Sequence, residues 1–190
     1  MGCIYSYLFS TTNYKIIMFG VDTAGKTSII RFLKNRIGDK SDTSNFPYFS
    51  PKLNYKGLLS IIRIDIGCCD GPRGVWGETR KQMNQAFKNA KGIIFAIDSS
   101  DRYRLDKDFM DDFNYILSHK DLKNFPALIL VNKQDSDRAL SLEEIIKKIE
   151  IEKFKEKIWL ALGTSLITGG EGIEEGLDWM ISILNKSNIK

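Results

Sequence analysis

The residues best suited to chemistry form a short glycine-rich string near the start of the chain. Residues 20–27 read Gly-Val-Asp-Thr-Ala-Gly-Lys-Thr, which matches G-x-x-x-x-G-K-[ST]. The string follows a predicted strand, Tyr14–Phe19, and opens a helical pattern over Lys26–Asn35. Backbone N–H groups of such a loop point at phosphate oxygens, and the helix N-terminus adds its positive dipole end. We predict a phosphate-binding loop in which Lys26 reaches the β- and γ-phosphates and Thr27 offers a hydroxyl to Mg²⁺.

A carboxylate further along the chain is placed to serve the same site. Asp65 lies near the end of the next long apolar strand, predicted over Leu58–Ile66. In open α/β sheets, ligands bind where the carboxyl ends of neighbouring strands meet. Asp65 is therefore predicted to hold Mg²⁺ through a water molecule beside the phosphate loop.

A second motif is placed to recognise a base. Asn132-Lys133-Gln134-Asp135 follows the predicted strand Pro126–Val131. Guanine offers N1–H and N2–H₂ along one edge, and the carboxylate of Asp135 can accept both. Adenine lacks these paired donors, and a site of this kind can reject the wrong ligand by about 10⁴-fold. Asn132 is predicted to pair with N7 and to tether the phosphate loop, while the stem of Lys133 covers the base plane.

A third contact with the base is expected from the main chain of Leu166-Ile167-Thr168, which precedes two glycines. The expected donor is a backbone N–H that meets the base O6, so the side-chain type carries little information. Within this segment, Ile167 and Thr168 are the predicted contact residues.

The elements around these motifs alternate between strand and helix, which predicts a parallel sheet covered by helices on both faces. Asp39–Tyr48 is predicted to be a loop, and a capping box at Ser141 and Glu144 opens one helix. The remaining predicted strands are Gly92–Ile97 and Ile158–Leu162, and the remaining predicted helices are Glu78–Asn89, Asp101–Ser118, Ser141–Glu150 and Gly172–Leu184.

Composition narrows the class of protein. The 190 residues are 43% apolar and 27% charged, as expected of one soluble globular domain. The net charge is +4, and the basic residues are scattered and interleaved with acidic ones. This distribution does not fit a nucleic-acid-binding surface. Cys3, Cys68 and Cys69 form neither a disulfide framework nor a zinc spacing, so we expect a reducing, cytosolic setting. The first residues lack the pattern of a secretory signal.

Five stretches together resemble the ADP-ribosylation-factor (Arf) and Arf-like small GTPases, with similarity from about Tyr14 to Ile183. They are Gly20–Thr27, similar to G-L-D-x-A-G-K-T; Asp65-Ile66-Gly67 with Trp76, similar to W-D-V-G-G-Q…R-P-L-W; Asp98–Arg102, similar to V-D-S-x-D-R; Asn132–Asp135, identical to N-K-Q-D; and Glu175–Trp179, identical to E-G-L-D-W. The resemblance implies a P-loop, Ras-like small-GTPase fold with a mostly parallel six-stranded sheet. It also implies GDP/GTP exchange, Mg²⁺, and recruitment of partners by the GTP form.

The resemblance completes the predicted site. Ser50 is the expected counterpart of the family's switch threonine, because Ser50–Asn54 is the segment most similar to T-I-G-F-N, and Thr43 is the alternative. The predicted metal ligands are Thr27, Ser50 and Asp65. The predicted nucleotide-binding residues are Gly20, Asp22, Thr23, Ala24, Gly25, Lys26, Thr27, Ser28, Gly67, Cys68, Asn132, Lys133, Asp135, Ile167 and Thr168.

The chain departs from the family pattern where hydrolysis is catalysed. The family reads D-x-G-G-Q, and the corresponding segment of this chain, residues 65–69, ends in Cys68-Cys69. The glutamine orients the attacking water in this class of enzyme, and Cys69 is too short and too weakly polar to do so. Cys68 replaces a glycine whose N–H meets the γ-phosphate. We therefore expect slow intrinsic GTP hydrolysis.

The first residues carry a lipidation pattern, since residues 1–6 fit M-G-x-x-x-[ST]. Gly2 is the candidate for N-myristoylation and Cys3 for palmitoylation. A single myristoyl chain binds membranes only marginally, whereas two acyl chains anchor stably. We expect a lipidated, amphipathic segment at 1–13 and a small-GTPase domain at 14–190, on the cytosolic face of membranes.

The leading hypothesis is an Arf-like switch that binds GDP and GTP with Mg²⁺ at membranes, in vesicle or membrane trafficking. Its expected partners are an exchange factor, an activating protein and effectors, without nucleic acid. The alternative is a pseudo-GTPase that serves as a lipid-anchored interaction module, which Cys68, Cys69 and the missing switch threonine favour. A P-loop kinase or ATPase is disfavoured by Asp135.

Overall fold

The computed structural model describes residues 13–40, 53–66, 83–106 and 108–187 of the chain. The strands are β1 (Tyr14–Gly20), β2 (Leu53–Tyr55), β3 (Leu59–Asp65), β4 (Ala90–Asp98), β5 (Ala127–Asn132) and β6 (Trp159–Gly163). The helices are α1 (Lys26–Arg36), α2 (83–87), α3 (Arg102–Asp106), α4 (Asp108–Ser118), α5 (Leu142–Ile149) and α6 (Ile173–Ser187), with short 3₁₀ turns at Lys120–Leu122 and Ile151–Lys153.

The strands form one sheet with the spatial order β2-β3-β1-β4-β5-β6. β2 runs antiparallel to β3, and all the other neighbours are parallel. The register places Gly20 opposite Asp65 and Asp98 opposite Asn132. The mostly parallel, six-stranded sheet implied by the resemblance is therefore confirmed, and its carboxyl edge gathers the ends of the motif-bearing strands.

Both faces of this sheet are buried. Every residue of β5 is buried, and in β1 only Lys15 is partly exposed. Because successive strand residues point to opposite faces, this pattern requires cover on both sides. On one side, the ring centroid of Phe95 in β4 lies 4.6 Å from that of Phe113 and 6.2 Å from that of Phe109, both in α4. The sheet is thus a buried core whose strand ends carry the residues at its edge.

Most predicted elements agree with the observed ones to within a few residues. The capping box is present, since Ser141 Oγ accepts from Glu144 N–H and the Glu144 carboxylate accepts from Ser141 N–H. The helix predicted over Asp101–Ser118 corresponds to α3 and α4, on either side of residue 107, which the structure does not describe. The sequence does not predict β2, because three residues are too few to show alternation. Among the described residues, no helix has the length and apolar character needed to cross a bilayer.

A tight hairpin joins β2 to β3. Leu58 N–H donates to the carbonyl oxygen of Tyr55 at 3.0 Å, and the residues between them, Lys56 and Gly57, have φ angles of 51° and 71°. Positive φ at both central positions is typical of a type I′ turn and favours glycine. Lys56 Nζ lies 2.7 Å from the Asp178 carboxylate, so an ion pair ties this turn to α6.

The start of β1 is also joined to α6. The Tyr14 hydroxyl donates to Asn185 Oδ1 at 3.0 Å, and Tyr14 N–H donates to the carbonyl oxygen of Leu58 at 2.7 Å. The first residue of β1, the hairpin turn and the last turns of α6 therefore lie together. They form the pole of the sheet opposite the carboxyl edge.

Candidate nucleotide-binding site

The loop between β1 and α1 carries the string Gly20–Thr27 at the carboxyl edge. A Cβ at Gly20 would lie 2.4 Å from the carbonyl oxygen of Ala96 in β4. A Cβ at Gly25, where φ is +92°, would lie 2.3 Å from Asn132 Nδ2. Glycine at these two positions therefore allows the loop to curl against neighbouring strand ends, with the N-terminus of α1 beside it.

The outer side of this loop is exposed and supported by α3. Asp22, Thr23 and Ser28 are exposed, whereas Ala24 is buried. Arg104 Nη1 donates to the carbonyl oxygen of Asp22 at 2.8 Å. Sequence reasoning missed Arg104, whose only signal is its place two residues after the Asp98–Arg102 stretch. Its contact leaves the exposed side chains of the loop available to a ligand.

Lys26 is folded back onto its own loop. Its Nζ donates to the carbonyl oxygens of Gly20 at 2.7 Å and Val21 at 2.6 Å, and lies 2.7 Å from Asp65 Oδ1. Burial has the largest effect on Lys26 and lowers its pKa, while the charge of Asp65 raises it in part. The ammonium group predicted to meet the phosphates is thus already held by three oxygen atoms.

Arg63 lies at the centre of the same cluster. It precedes Asp65 by two residues on β3, so both side chains share one face of the strand. Its Nη1 donates to Thr27 Oγ1, and its Nη2 lies 3.4 Å from Asp65 Oδ2. The Arg63 side chain is only 10% exposed. Sequence reasoning missed it, although an arginine within an apolar strand, two residues before the predicted metal ligand, was a signal.

The donors at this position do not fit a divalent metal as they are arranged. Mg²⁺ requires a near-octahedral set of oxygen ligands. The described residues supply the hydroxyl of Thr27 and the carboxylate of Asp65, and Arg63 engages both. Lys26 engages the second oxygen of Asp65, so one negative charge faces two positive charges. No group of three or more His, Cys, Asp or Glu side chains occurs among the described residues to offer a second site.

Asn132 joins the base motif to the phosphate loop. It ends β5 and is 2% exposed. Its Nδ2 donates to the carbonyl oxygen of Ala24 at 3.0 Å, and its Oδ1 accepts from Thr164 Oγ1 at 3.3 Å. The first contact is the tether expected from the sequence. An amide nitrogen carries two hydrogens, so Nδ2 keeps a second one for a ligand acceptor such as N7.

Lys133 bridges the ends of β5 and β4. Its Nζ lies 2.5 Å from Asp98 Oδ2, while Asp98 Oδ1 accepts from Ser100 N–H at 3.0 Å and from Ser100 Oγ at 2.6 Å. Burial has the largest effect on Asp98 and would raise its pKa, but the bonds from Lys133 and Ser100 together lower it. The ammonium group is thereby fixed, and with it the stem that is predicted to cover the base.

Asp135 is exposed and oriented by a residue that sequence reasoning missed. Ser165 Oγ donates to Asp135 Oδ1 at 2.5 Å. Ser165 Oγ in turn accepts from the N–H groups of Ile167 at 3.2 Å and Thr168 at 3.3 Å. The two N–H groups predicted to meet the base O6 are therefore engaged, which leaves that of Leu166 as the candidate in the segment. Ser165 lies just after the end of β6, as Asp135 lies just after the end of β5, and this position is its sequence signal.

The remaining predicted residues lie outside the described part of the chain. They are Gly2, Cys3, Thr43, Ser50, Gly67, Cys68 and Cys69. Their roles stay predictions from the sequence.

The fold is one that known proteins share. The model of the ADP-ribosylation factor family matches residues 1–184 of the chain. Among solved structures, the fold is similar to that of the small GTPase Arl6 (BBS3) from Trypanosoma brucei with the bound nucleotide analogue GppNp. The TM-score is 0.73 at 22% identity, over 92% of this chain and 99% of that one. This likeness confirms the small-GTPase fold, and the match to the family model over nearly the whole sequence shows that the chain belongs to the ADP-ribosylation factor family.

Proposed function

We propose that this chain is a guanine-nucleotide switch that exchanges GDP and GTP and recruits partner proteins at membranes, in vesicle or membrane trafficking. The observation that carries the proposal is the base end of the site. There Asp135 is exposed and oriented by Ser165, and Asn132 ties the base motif to the phosphate loop. Family membership supports nucleotide binding and protein partners in general.

The chemistry of the base end favours guanine. One oxygen of Asp135 accepts from Ser165, and a carboxylate has about four lone-pair sites in all. The sites that remain can accept both N1–H and N2–H₂ of guanine. Adenine offers a hydrogen-bond acceptor at N1, so the carboxylate of Asp135 would face a lone pair instead of a donor.

The phosphate end supplies a loop and two cations. When a nucleotide binds, we expect Lys26 to exchange the carbonyl oxygens of Gly20 and Val21 for phosphate oxygens. Mg²⁺ can enter this site only if Arg63 leaves Thr27 and Asp65, so the proposal does not depend on the metal.

A competition titration of the purified, non-lipidated chain tests the proposal. Fluorescent GTP is bound with and without Mg²⁺ and is then displaced with GTP, GDP or ATP. Displacement by GTP and GDP, with ATP ineffective, is the expected result. Equal displacement by ATP would contradict the guanine site, and an absence of binding in both buffers would remove the switch function.

A pseudo-GTPase is the second candidate, and one feature of the site favours it. Lys26, Arg63, Thr27 and Asp65 already satisfy one another in the structure. With Cys69 in place of the glutamine, this candidate binds nucleotide without useful turnover. Single-turnover hydrolysis of bound GTP separates the two candidates, because a rate that rises with an activating protein excludes the pseudo-GTPase.

The membrane part of the proposal rests on residues 1–6, with myristate on Gly2 and palmitate on Cys3 at the cytosolic face of membranes. Mass spectrometry of the chain expressed in eukaryotic cells should detect both groups. Gly2→Ala should release the protein from membranes, and Cys3→Ser should leave only weak, reversible binding. Membrane association that survives Gly2→Ala would contradict lipid anchoring.

A further inference from the structure

Arg63 is the feature of the site that nucleotide binding alone does not explain. A buried charge is unfavourable unless it is paired and hydrogen-bonded. Arg63 satisfies this with Thr27 Oγ1 and Asp65 Oδ2, the two described groups that are predicted to hold Mg²⁺. Its guanidinium therefore occupies the position between the start of α1 and the end of β3 where the metal is expected.

The arginine also retains capacity for further contacts. Its Nε is buried and has no hydrogen-bond partner within the described residues. A guanidinium carries five N–H donors and is well suited to phosphate. Within the cluster, the basic side chains of Lys26 and Arg63 face the single carboxylate of Asp65. The carboxylate of Asp22, in the phosphate loop, also acts on the charge of Lys26. A divalent cation at the same position would be repelled by both basic side chains.

We propose that Arg63 is a built-in cation of the nucleotide site, which takes the position of the divalent metal between Thr27, Asp65 and the phosphates. The inference rests on the proposed function, because it concerns how a bound guanine nucleotide is retained. Guanine nucleotide is then held equally well with and without Mg²⁺, because a positive charge at the metal position is part of the chain.

The test measures release of fluorescent GDP into excess unlabelled GDP, in excess Mg²⁺ and in excess EDTA. For the wild-type chain the two rates should differ by less than about threefold. In Arg63→Met, Thr27 Oγ1 and Asp65 Oδ2 are freed for a metal ion, so EDTA should accelerate release by more than about tenfold. Arg63→Lys keeps a cation at this position and should remain close to wild type. Arg36→Met is the matched control, because that arginine pairs with Glu174 near the exposed end of α1.

A second measurement does not depend on nucleotide. Adding Mg²⁺ to the nucleotide-free wild-type chain should leave its melting temperature unchanged, whereas Arg63→Met should be stabilised. The inference is overturned if EDTA accelerates release from the wild-type chain tenfold or more, or if Mg²⁺ stabilises the wild type and Arg63→Met alike. The wild-type ratio decides the matter even if Arg63→Met folds poorly. Failure of GDP to bind in either buffer would instead overturn the proposed function, and the inference with it.

Discussion

The base end and the phosphate end lie on the same edge of one sheet, yet their polar groups are held differently. At the base end, Asp135 is exposed, and one of its carboxylate oxygens accepts a hydrogen bond from Ser165 Oγ. At the phosphate end, the Asp65 side chain is 11% exposed and both of its oxygens face basic side chains, Lys26 and Arg63. The base end is thus open to a ligand, whereas a ligand at the phosphate end must replace contacts that already exist.

This difference shows what a motif does and does not determine. N-K-Q-D fixes hydrogen-bonding partners that the fold can orient without a ligand. G-x-x-x-x-G-K-T predicts contacts with phosphate, but it does not predict that Lys26 Nζ contacts the carbonyl oxygens of Gly20 and Val21 and the carboxylate of Asp65. The contacts at the phosphate end therefore involve two residues outside the motif, Asp65 and Arg63.

The largest expected effect comes from removing the charge at the base end. Asp135→Asn replaces one acceptor oxygen with a donor, so GTP affinity should fall by about 10²-fold or more, because a donor of guanine is left unpaired. Asp137→Asn, which changes an exposed carboxylate two residues away, is the matched control. Titration with fluorescent GTP measures both variants. Equal affinities would mean that Asp135 does not contact the base.

Removing the side chain of Asn132 should break the link between the base end and the phosphate end. Asn132→Ala removes the bonds to Ala24 and Thr164, so the free energy of unfolding should fall by about 1–3 kcal/mol as buried polar groups lose their partners. GDP should also dissociate faster, since the phosphate loop loses its tether. Urea denaturation and fluorescent GDP release measure the two effects. Asn114→Ala, at an exposed position of α4, should change neither.

A buried lysine far from the site shows what burial alone does to a cation. Lys157 is 7% exposed, and its Nζ donates to the carbonyl oxygen of Leu122. Burial lowers the pKa of Lys157 from 10.5 to about 8. Between these values the unfolded chain binds more protons than the folded chain, so the contribution of Lys157 to stability rises with pH. Below pH 8 its full destabilising effect is present.

Lys157→Met should therefore raise the free energy of unfolding at pH 7 by about 1–2 kcal/mol, after the loss of one hydrogen bond is subtracted. Its advantage over wild type should shrink as the pH approaches 10. Lys155→Met, at an exposed neighbouring position, should keep the wild-type pH dependence. Urea denaturation at several pH values measures this pH dependence. If the free energies of unfolding of wild type and Lys157→Met changed in parallel with pH, burial of Lys157 would not account for the effect.

The smallest effect is expected for an ion pair in water. Lys56 and Asp178 are about half exposed, with side-chain accessibilities of 46% and 54%. Exposed pairs contribute little, so Lys56→Met should lower the free energy of unfolding by about 0.5 kcal/mol or less. High salt should abolish the difference. A double-mutant cycle with Asp178→Asn isolates the ion pair. A coupling energy as large as that of a buried ion pair would contradict the prediction.

The sequence predicts the fold well because its strands are short apolar runs bounded by turns. β5 is buried on both faces, and its residues 127–131 form an uninterrupted apolar run. A capping box marks the start of α5. β2 is the exception, since its three residues gain their strand conformation from pairing with β3. A contact between strands that is set by tertiary structure leaves no local pattern.

The site is predictable as far as its motifs extend. The sequence points to Asn132 and Asp135 because their residue types match the donors and acceptors of a base. It does not point to Arg63 and Ser165, because their roles arise from which strand ends become neighbours. The pattern places Arg63 and Asp65 on one face of β3, but only the sheet order brings Thr27 next to them.

The hydrogen bond between Tyr14 and Asn185 holds the start of β1 against α6, at the pole of the sheet opposite the carboxyl edge. The seven residues of β1 span about 20 Å at the rise of a parallel strand. Tyr14 at the start of β1 is therefore separated from the phosphate loop by the full height of the sheet. A fluorescent group beside Asn185, at the end of α6, would lie at the pole of Tyr14 and away from the phosphate loop, so its signal should change little on nucleotide exchange.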